Sequence, residues 1–263
     1  MKKSLIMLIT SILALSVLVG CGGSNNVENK TNMGGTKAVD EKKDINDLVT
    51  IKEAVNKEGV SPNGDKVKYI YKVPIINIDK PGAQKINDMF MNLEKDMEKR
   101  IGNGQNMTLS IPSKAFLNDG IISVVMEIKK GGPGGIYTAN YDIQNDKEIS
   151  TKELLEKYKF EPQKLIAEIN RQTKIDDSKP VEEQYYRGGL IDLFAHTVIK
   201  NIYFPNDLPK MDEELKKAES WTKEEKERYV IENIDKIKTY INNDSKFVFI
   251  HSGALDDEEL VVE

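Results

Sequence analysis

The sequence predicts a single globular α+β domain in which a mainly antiparallel sheet packs against several helices. Apolar and polar residues alternate in short segments of the first half of the chain, which is typical of strands with one face in the core. Apolar residues recur every three or four positions through most of the second half, which is typical of amphipathic helices. The two kinds of segment are grouped instead of alternating one by one, and this grouping favours α+β over a parallel α/β sheet.

The first predicted elements are a strand and a helix. Residues 45–60 show no clear period and are predicted to add at most a short helix. Apolar residues alternate mainly with lysines over residues 66–73, so this segment is predicted to be a strand. Pro81 opens a predicted helix, in which apolar residues recur at steps of three or four as far as Ile101. Gly102 is expected to end this helix.

A hairpin and a further strand are predicted next. Apolar residues alternate over residues 107–111 and again over residues 122–128. Asn118-Asp119-Gly120 lies between these segments and is a turn signal, so the two segments are predicted to pair. After the glycine-rich residues 131–135, strict alternation over residues 137–144 predicts another strand.

The remaining segments are predicted to be helices followed by two closing strands. Ser150 and Glu153 match a capping box, in which each side chain accepts a hydrogen bond from the other residue's backbone N–H. Pro162 begins another predicted helix. A second capping box begins a long helix that is predicted to run over residues 222–241. The other predicted elements are a helix over residues 190–203 and strands over residues 247–250 and 260–262.

The only cysteine of the chain, Cys21, follows a segment with a recognisable pattern. Two lysines precede an apolar stretch over residues 5–19, which is typical of a secretory signal and is too short for a permanent membrane span. Leu18-Val19-Gly20-Cys21 resembles the lipobox of bacterial lipoproteins. The resemblance implies cleavage between Gly20 and Cys21 and a diacylglyceryl group on the cysteine sulfur. Residues 1–20 are therefore predicted to be a lipoprotein signal peptide.

The composition after the cysteine predicts a tethered extracytoplasmic domain over residues 45–263. Residues 21–44 are polar and rich in glycine, asparagine and lysine. This composition predicts a flexible linker with a root-mean-square reach of about 25 Å. The chain has 43 acidic and 38 basic residues, and this balance disfavours nucleic acid and anionic lipid as electrostatic partners. The predicted location is the outer face of the cell membrane, with the lipid on Cys21 as the only expected membrane attachment and the only expected non-protein group.

Three short motifs resemble those of a known family. They are Tyr137-Thr138-Ala139-Asn140-Tyr141-Asp142, Lys147-Glu148-Ile149-Ser150 and Glu153-Leu154-Leu155. With them, residues 65–260 resemble a bacterial extracytoplasmic family of unknown function. That family includes the ectodomain of the lysozyme-sensing anti-sigma factor RsiV and the accessory region of the peptidoglycan deacetylase PdaC. The resemblance implies an RsiV-like or PdaC-like envelope domain, and it concerns the accessory region of the deacetylase and not its catalytic region.

Aromatic and amide side chains are the predicted ligand contacts. Tyr137, Asn140 and Tyr141 lie on one predicted strand, and Tyr185 and Tyr186 lie in a polar segment. Such groups suit sugars or peptides. Tyr137 and Tyr141 also alternate like core residues, so packing is the alternative for these two. The predicted function is a non-enzymatic, membrane-anchored binding or sensing module whose partner is peptidoglycan or a wall-active protein such as lysozyme.

Catalytic and metal-binding motifs are not found in the sequence. His196 is predicted to form a solvated pair with Asp192 on the polar face of its helix, and His251 ends a predicted strand. No zinc, calcium-loop or serine-nucleophile motif is present. The alternative function is a wall glycan hydrolase that uses two carboxylates. The densest acidic cluster is Asp256-Asp257-Glu258-Glu259, which is otherwise expected to be a solvated turn.

Overall fold

A computed structural model describes residues 44–60, 64, 66–102, 110–111, 113–128, 135–181, 184, 189–253 and 257–263. These residues form an α+β fold, as predicted. The helices are α1 (Ile45–Leu48), α2 (Pro81–Gly102), α3 (Thr151–Lys157), α4 (Pro162–Asp177), α5 (Leu190–Tyr203), α6 (Leu208–Ala218) and α7 (Lys223–Glu232). The strands are β1 (Val49–Val60), β2 (Lys66–Ile76), β3 (Ser110–Ile111), β4 (Ser113–Asn118), β5 (Ile121–Ile128), β6 (Gly135–Asp142), β7 (Lys147–Ile149), β8 (Thr239–Ile241), β9 (Phe247–Ser252) and β10 (Asp257–Val262).

Two sheets follow one another along the first half of the chain. Their strand orders are β1-β2-β3 and β4-β5-β6-β7. A single residue separates β3 from β4, so the chain leaves one sheet and enters the next almost without a break. The β2–β3 pair is parallel, whereas the other described pairs are antiparallel. The predicted, mainly antiparallel arrangement is therefore confirmed.

Helix α2 covers one face of this strand assembly. Its residues Ala83, Ile86 and Phe90 recur at steps of three and four and are fully buried. They pack against apolar side chains of β2, β5 and β6, which alternate along each strand and therefore share one face. The strand members of this core include Val73, Ile76, Ile122, Val124, Met126, Ala139 and Tyr141.

The third sheet, with strand order β10-β9-β8, packs on the opposite face of β5 and β6. The apolar residues between the two sheets are Val125, Ile136, Tyr240, Val248 and Ile250. The largest core lies on the other side of this third sheet, where α3, α4, α5 and α7 cover it. Helix α5 is central there, because it contacts α4, α6, α7 and β9. Phe194 and Phe249 are among the fully buried side chains of this core.

Several predicted elements differ from the observed ones. The hairpin partner of β5 is β4 and not the predicted strand at residues 107–111, because the turn at Asp119 and Gly120 places β4 directly opposite. Helix α7 ends at Glu232, and the chain then forms a short 3₁₀ turn and β8 in place of a helix to residue 241. Residues 45–60 contain the short α1 and then the long strand β1. Among the described residues, every helix is too short or too polar to cross a membrane.

Candidate functional site

The segment from Tyr141 to Glu153 (hereafter the Tyr141 turn) contains most of the motifs that resemble the known family, and its polar groups bind one another. The Tyr141 hydroxyl donates a hydrogen bond to Asp146 Oδ1 over 2.7 Å. The backbone N–H of Gly82, in the first turn of α2, donates to the same oxygen over 3.1 Å. A side chain on Gly82 would meet the carbonyl oxygen of Asp146 at 2.2 Å, so only glycine permits this close approach. These contacts fix α2 against the turn.

The rest of the Tyr141 turn is held in the same way. Asp142 accepts hydrogen bonds from the backbone N–H groups of Gln144 and Asn145 over 2.9 and 3.0 Å. Burial raises the pKa of Asp142, but the hydrogen bonds from Asn145 and the nearby Lys157 outweigh it and leave that pKa below its ordinary value. These hydrogen bonds hold the backbone of the turn in place.

The end of the Tyr141 turn starts α3. Ser150 and Glu153 form the predicted capping box, which the structure confirms. Lys147 lies 2.6 Å from Glu153, and this contact together with the Ser150 backbone N–H lowers the pKa of Glu153 to about 2. The charged residues of this motif therefore serve the helix start.

Asn140 and Tyr141 lie in the core, contrary to a role in binding an external ligand. Tyr141 is fully buried, and Asn140 is 4% exposed on the opposite face of β6. Asn140 accepts a hydrogen bond from the Ser123 hydroxyl over 2.7 Å and donates one to the Thr239 carbonyl over 2.9 Å. These bonds join the second sheet to β8. The structure thus corrects the expectation that both side chains offer groups to a ligand, and it supports the packing alternative for Tyr141.

Tyr137 is the described candidate that keeps part of its ring at the surface. Lys238 Nζ lies 5.1 Å from the centroid of this ring, which is within the range of a cation–π interaction. The same ammonium group donates a hydrogen bond to the Ile136 carbonyl over 3.1 Å. Asp257 Oδ2 accepts a hydrogen bond from the Ile136 N–H over 3.0 Å and lies 4.0 Å from Lys238 Nζ. We call Tyr137, Lys238 and Asp257 the Tyr137 edge.

The Tyr137 edge exists because β7 is short. β7 pairs with residues 140–142 of β6, and no strand among the described parts of the chain pairs with residues 135–139 on that side. Side chains of Lys238 and Asp257 satisfy the backbone groups of Ile136 there. An aromatic face, an ammonium group and a carboxylate therefore meet within a few ångströms. This combination can stack on a sugar ring or a peptide plane and can form charged hydrogen bonds to polar substituents.

Sequence reasoning identified only part of this edge. Tyr137 was predicted as a contact, and Asp257 belongs to the acidic cluster that was noted as the densest in the chain. No sequence pattern marks Lys238 as a site residue, because its position next to Tyr137 depends on how the third sheet packs against β6. Four candidates, Gly20, Cys21, Tyr185 and Tyr186, lie outside the described residues, as does Asp256.

The two histidines occupy different environments. His251 is 1% exposed, and its ring lies 4.8 Å from that of Phe194. Burial lowers its pKa, although Glu258 acts in the opposite direction. His196 is half-buried, and burial lowers its pKa as well. Asp192, the predicted partner of His196, lies 2.5 Å from Lys226, and its charge also acts on His196 by opposing the effect of burial on that pKa.

Four carboxyl groups of the described residues have a clearly lowered pKa. A general acid in glycoside hydrolysis needs a raised pKa. The carboxyl groups of Asp142, Glu153, Glu168 and Glu263 instead have lowered pKa values, which does not fit that role. Among the parts of the chain that the structure describes, no cluster of three or more His, Cys, Asp or Glu residues could hold a metal ion.

Comparison with known proteins gave no assignment. A scan against models of protein families and a search of curated proteins found no match to this chain. The resemblance to the RsiV-like and PdaC-like family therefore stays a prediction.

Proposed function

We propose that this protein is a cell-envelope lipoprotein, anchored by a diacylglyceryl group on Cys21, whose extracytoplasmic domain binds peptidoglycan or a wall-associated protein without catalysis. The lipobox supports the anchor, and the side chains at the Tyr137 edge support a binding role. The polar groups of the Tyr141 turn and of the seam between the sheets are used within the protein. The groups that remain near the surface at the Tyr137 edge suit recognition.

The single observation that carries the binding role is the position of Lys238 over the Tyr137 ring, next to Asp257. The part of the Tyr137 ring that remains exposed can pack against the C–H groups of a sugar. The neighbouring ammonium and carboxylate groups can bind the carboxylates, amides and hydroxyls that cell-wall polymers carry. The ligand class is therefore a polar polymer with apolar faces, either a wall glycan with its peptides or the surface of a wall protein.

A co-sedimentation assay tests this proposal. Residues 44–263 would be incubated with insoluble peptidoglycan and, separately, passed over immobilised lysozyme, while the turbidity of the wall suspension is followed. Retention at constant turbidity is the expected result. Clearing of the suspension would contradict the non-enzymatic function and support the carboxylate hydrolase, which is the alternative prediction.

Paired variants locate the site. Lys238→Met keeps the aliphatic stem but removes the charge over the ring, and we expect it to weaken retention about tenfold or less, as for one partly desolvated charged contact. Tyr137→Phe keeps the ring and should retain most of the binding. Lys246→Met is the matched control, because Lys246 pairs with the exposed Glu263 elsewhere on the surface. Equal retention by Lys238→Met and Lys246→Met would show that the Tyr137 edge is not the binding site.

The anchor has its own test. Intact protein from the membrane fraction of a bacterial host should have the mass of a chain that begins at Cys21 and carries a diacylglyceryl group. Cys21→Ser should lack the added mass of the diacylglyceryl group, because serine has no thiol to carry the lipid. Unsubstituted protein without that added mass would contradict the anchor.

A further inference from the structure

The connection between α5 and α6 exposes large apolar side chains. Phe204 is 61% exposed and Leu208 is 47% exposed, and they lie four residues apart. We call the segment Phe204–Leu208 the apolar turn. Isolated apolar residues on a protein surface are ordinary, but two large ones on a single short turn form a local apolar projection.

Local hydrogen bonds hold the apolar turn without help from its apolar side chains. The N–H of Phe204 donates to the Lys200 carbonyl over 2.8 Å, which ends α5. The N–H of Asp207 donates to the Tyr203 carbonyl over 2.8 Å. The Asp207 side chain accepts from the Lys210 N–H over 3.1 Å and so begins α6. These hydrogen bonds define the backbone of the turn, and none of them involves the Phe204 or Leu208 side chain.

Aromatic and basic residues lie next to the turn. Lys210 Nζ lies 6.0 Å from the centre of the Tyr203 ring, and Lys200 is exposed on the last turn of α5. Tyr229 lies near enough to Tyr203 for that residue to help raise its pKa, and its ring centre is 4.7 Å from that of Trp221, the only tryptophan of the chain; both are half-buried. Tyrosine, tryptophan and lysine are enriched where proteins meet the membrane–water interface, with phenylalanine and leucine pointing further into the lipid.

The size of the projection favours a bilayer over a protein partner. Two half-exposed side chains offer on the order of 200 Å² of surface. A stable protein interface needs about 800 Å² from each partner. A membrane can accept a small projection, because shallow insertion of a tethered domain needs only a weak local contact.

The length of chain before the described residues agrees with a lipid partner. Residues 21–43 separate the predicted anchor from Asp44, and a coil of that length reaches about 25 Å. A compact domain of this size has a radius of gyration of about 17 Å. The domain is thus expected to remain close enough for its own surface to contact lipid.

We propose that the apolar turn is a membrane-contact site, in which Phe204 and Leu208 insert at the bilayer interface. This inference rests on the proposed lipid anchor, because the anchor supplies the proximity that a small contact requires. Since the chain is acidic overall, insertion of apolar groups and not attraction to anionic lipid provides the contact. The contact is therefore expected in phosphatidylcholine vesicles and is expected to be insensitive to salt.

The experiment uses the single cysteine. Residues 21–263 would be coupled through the Cys21 thiol to a maleimide lipid in phosphatidylcholine vesicles, and coupling would be verified by mass. Phe204→Trp then reports insertion through quenching by a lipid that carries a nitroxide near its headgroup. Val261→Trp is the matched control, because Val261 is 40% exposed on an edge strand. The signal of Trp221 in the unsubstituted chain is subtracted from both.

The expected result is at least a twofold loss of fluorescence for Phe204→Trp and little change for Val261→Trp. Equal quenching of the two variants, or no quenching of either, would overturn the proposal and leave the apolar turn open to a protein partner. Chemical coupling makes this result independent of whether cells lipidate Cys21. Failure of the anchor would appear separately, in the mass of the protein isolated from membranes.

Discussion

The Tyr141 turn contains polar side chains that bind within the protein, whereas the apolar turn contains large apolar side chains that are exposed to solvent. The Tyr141 turn is rich in polar side chains, and it places them against one another, against α2 and at the start of α3. The apolar turn carries Phe204 and Leu208 and leaves both exposed. Local hydrogen bonds define both connections, but the side chains of Phe204 and Leu208 form no part of them in the second.

The difference shows where to look for function in this molecule. The segment with the most distinctive sequence is explained by structure, since nearly every polar group in it has a partner within the protein. The apolar turn, in contrast, exposes large apolar side chains, and no contact among the described residues explains their exposure. Residues that break a local rule without a structural gain are the better candidates for contacts with other molecules.

The largest expected effect tests the Tyr141 turn at its closest contact. Gly82→Ala places a methyl group 2.2 Å from the Asp146 carbonyl oxygen, which is far inside contact distance. Either α2 or the turn must move, and we expect the free energy of unfolding to fall by about 3 kcal/mol, the upper range for overpacking. Urea denaturation followed by circular dichroism measures the change.

Gln84→Ala is the control for this variant, because Gln84 is exposed on the same helix and bonds only Asp88 in its own helix. Its effect should stay within about 0.5 kcal/mol. If Gly82→Ala were equally mild, the close packing of α2 on the turn would not contribute to stability.

The second prediction tests the polar seam between the sheets. Asn140→Val removes the partner of the Ser123 hydroxyl and of the Thr239 carbonyl, and both groups are buried. Unpaired buried groups destabilise by about 1–3 kcal/mol, so we expect a loss of about 2 kcal/mol. Thr138→Val on the same strand and face is the control, since it leaves the seam intact. A loss below that of the control would show that water replaces the missing bonds.

The elements with strong periodicity were predictable, and those defined by distant contacts were not. Helix α5 begins and ends at the predicted residues, because a broad apolar face and the glycine before Leu190 determine it locally. Strand β8 has three residues, and it forms because Asn118, Ser123 and Asn140 bind its edge from another sheet. No local pattern could reveal that partner.

The same limit applies to the candidate site. Tyr137 could be named from its residue type, but its companion Lys238 follows it by a hundred residues and meets it only through packing of the third sheet. Tyr141 is predicted as a ligand contact and is buried instead, since alternation along a strand does not distinguish a core face from a binding face.

The third prediction compares two histidines, His196 on α5 and His251 on β9. Burial lowers the pKa of His251 in the folded protein below the ordinary value of 6.5. The unfolded chain therefore binds a proton first as the pH falls, and stability decreases from about pH 6.5 down to the lowered pKa. For one group the slope cannot exceed about 1.4 kcal/mol per pH unit. Unfolding midpoints in urea between pH 7.5 and 5 measure this slope.

His251→Gln cannot ionise and should flatten the slope in that range. The pKa of the half-buried His196 is also lowered by burial, so His196→Gln is the matched comparison. We expect His196→Gln to flatten the slope less, because His251 is the more deeply buried of the two. An unchanged slope in His251→Gln would mean that other groups, such as the nearby Glu258, control stability in this range.

The smallest expected effect tests the apolar turn. Replacing both Phe204 and Leu208 by serine removes two large apolar side chains, a change that in a core would cost several kcal/mol. Because the local hydrogen bonds hold the turn and both side chains are largely exposed, we expect the free energy of unfolding to change by no more than about 0.5 kcal/mol. Circular dichroism and urea denaturation of the double variant measure this.

If the free energy of unfolding fell by about 2 kcal/mol, Phe204 and Leu208 would contribute to stability as packed side chains do. The two turns would then not differ in the way described. A neutral result has the opposite meaning, since it leaves two large apolar side chains with no role in folding. Exposed apolar groups that stability does not require also favour association in solution. Their retention on one short turn is then best explained by a contact outside the domain, and the vesicle experiment with Phe204→Trp identifies whether lipid makes that contact.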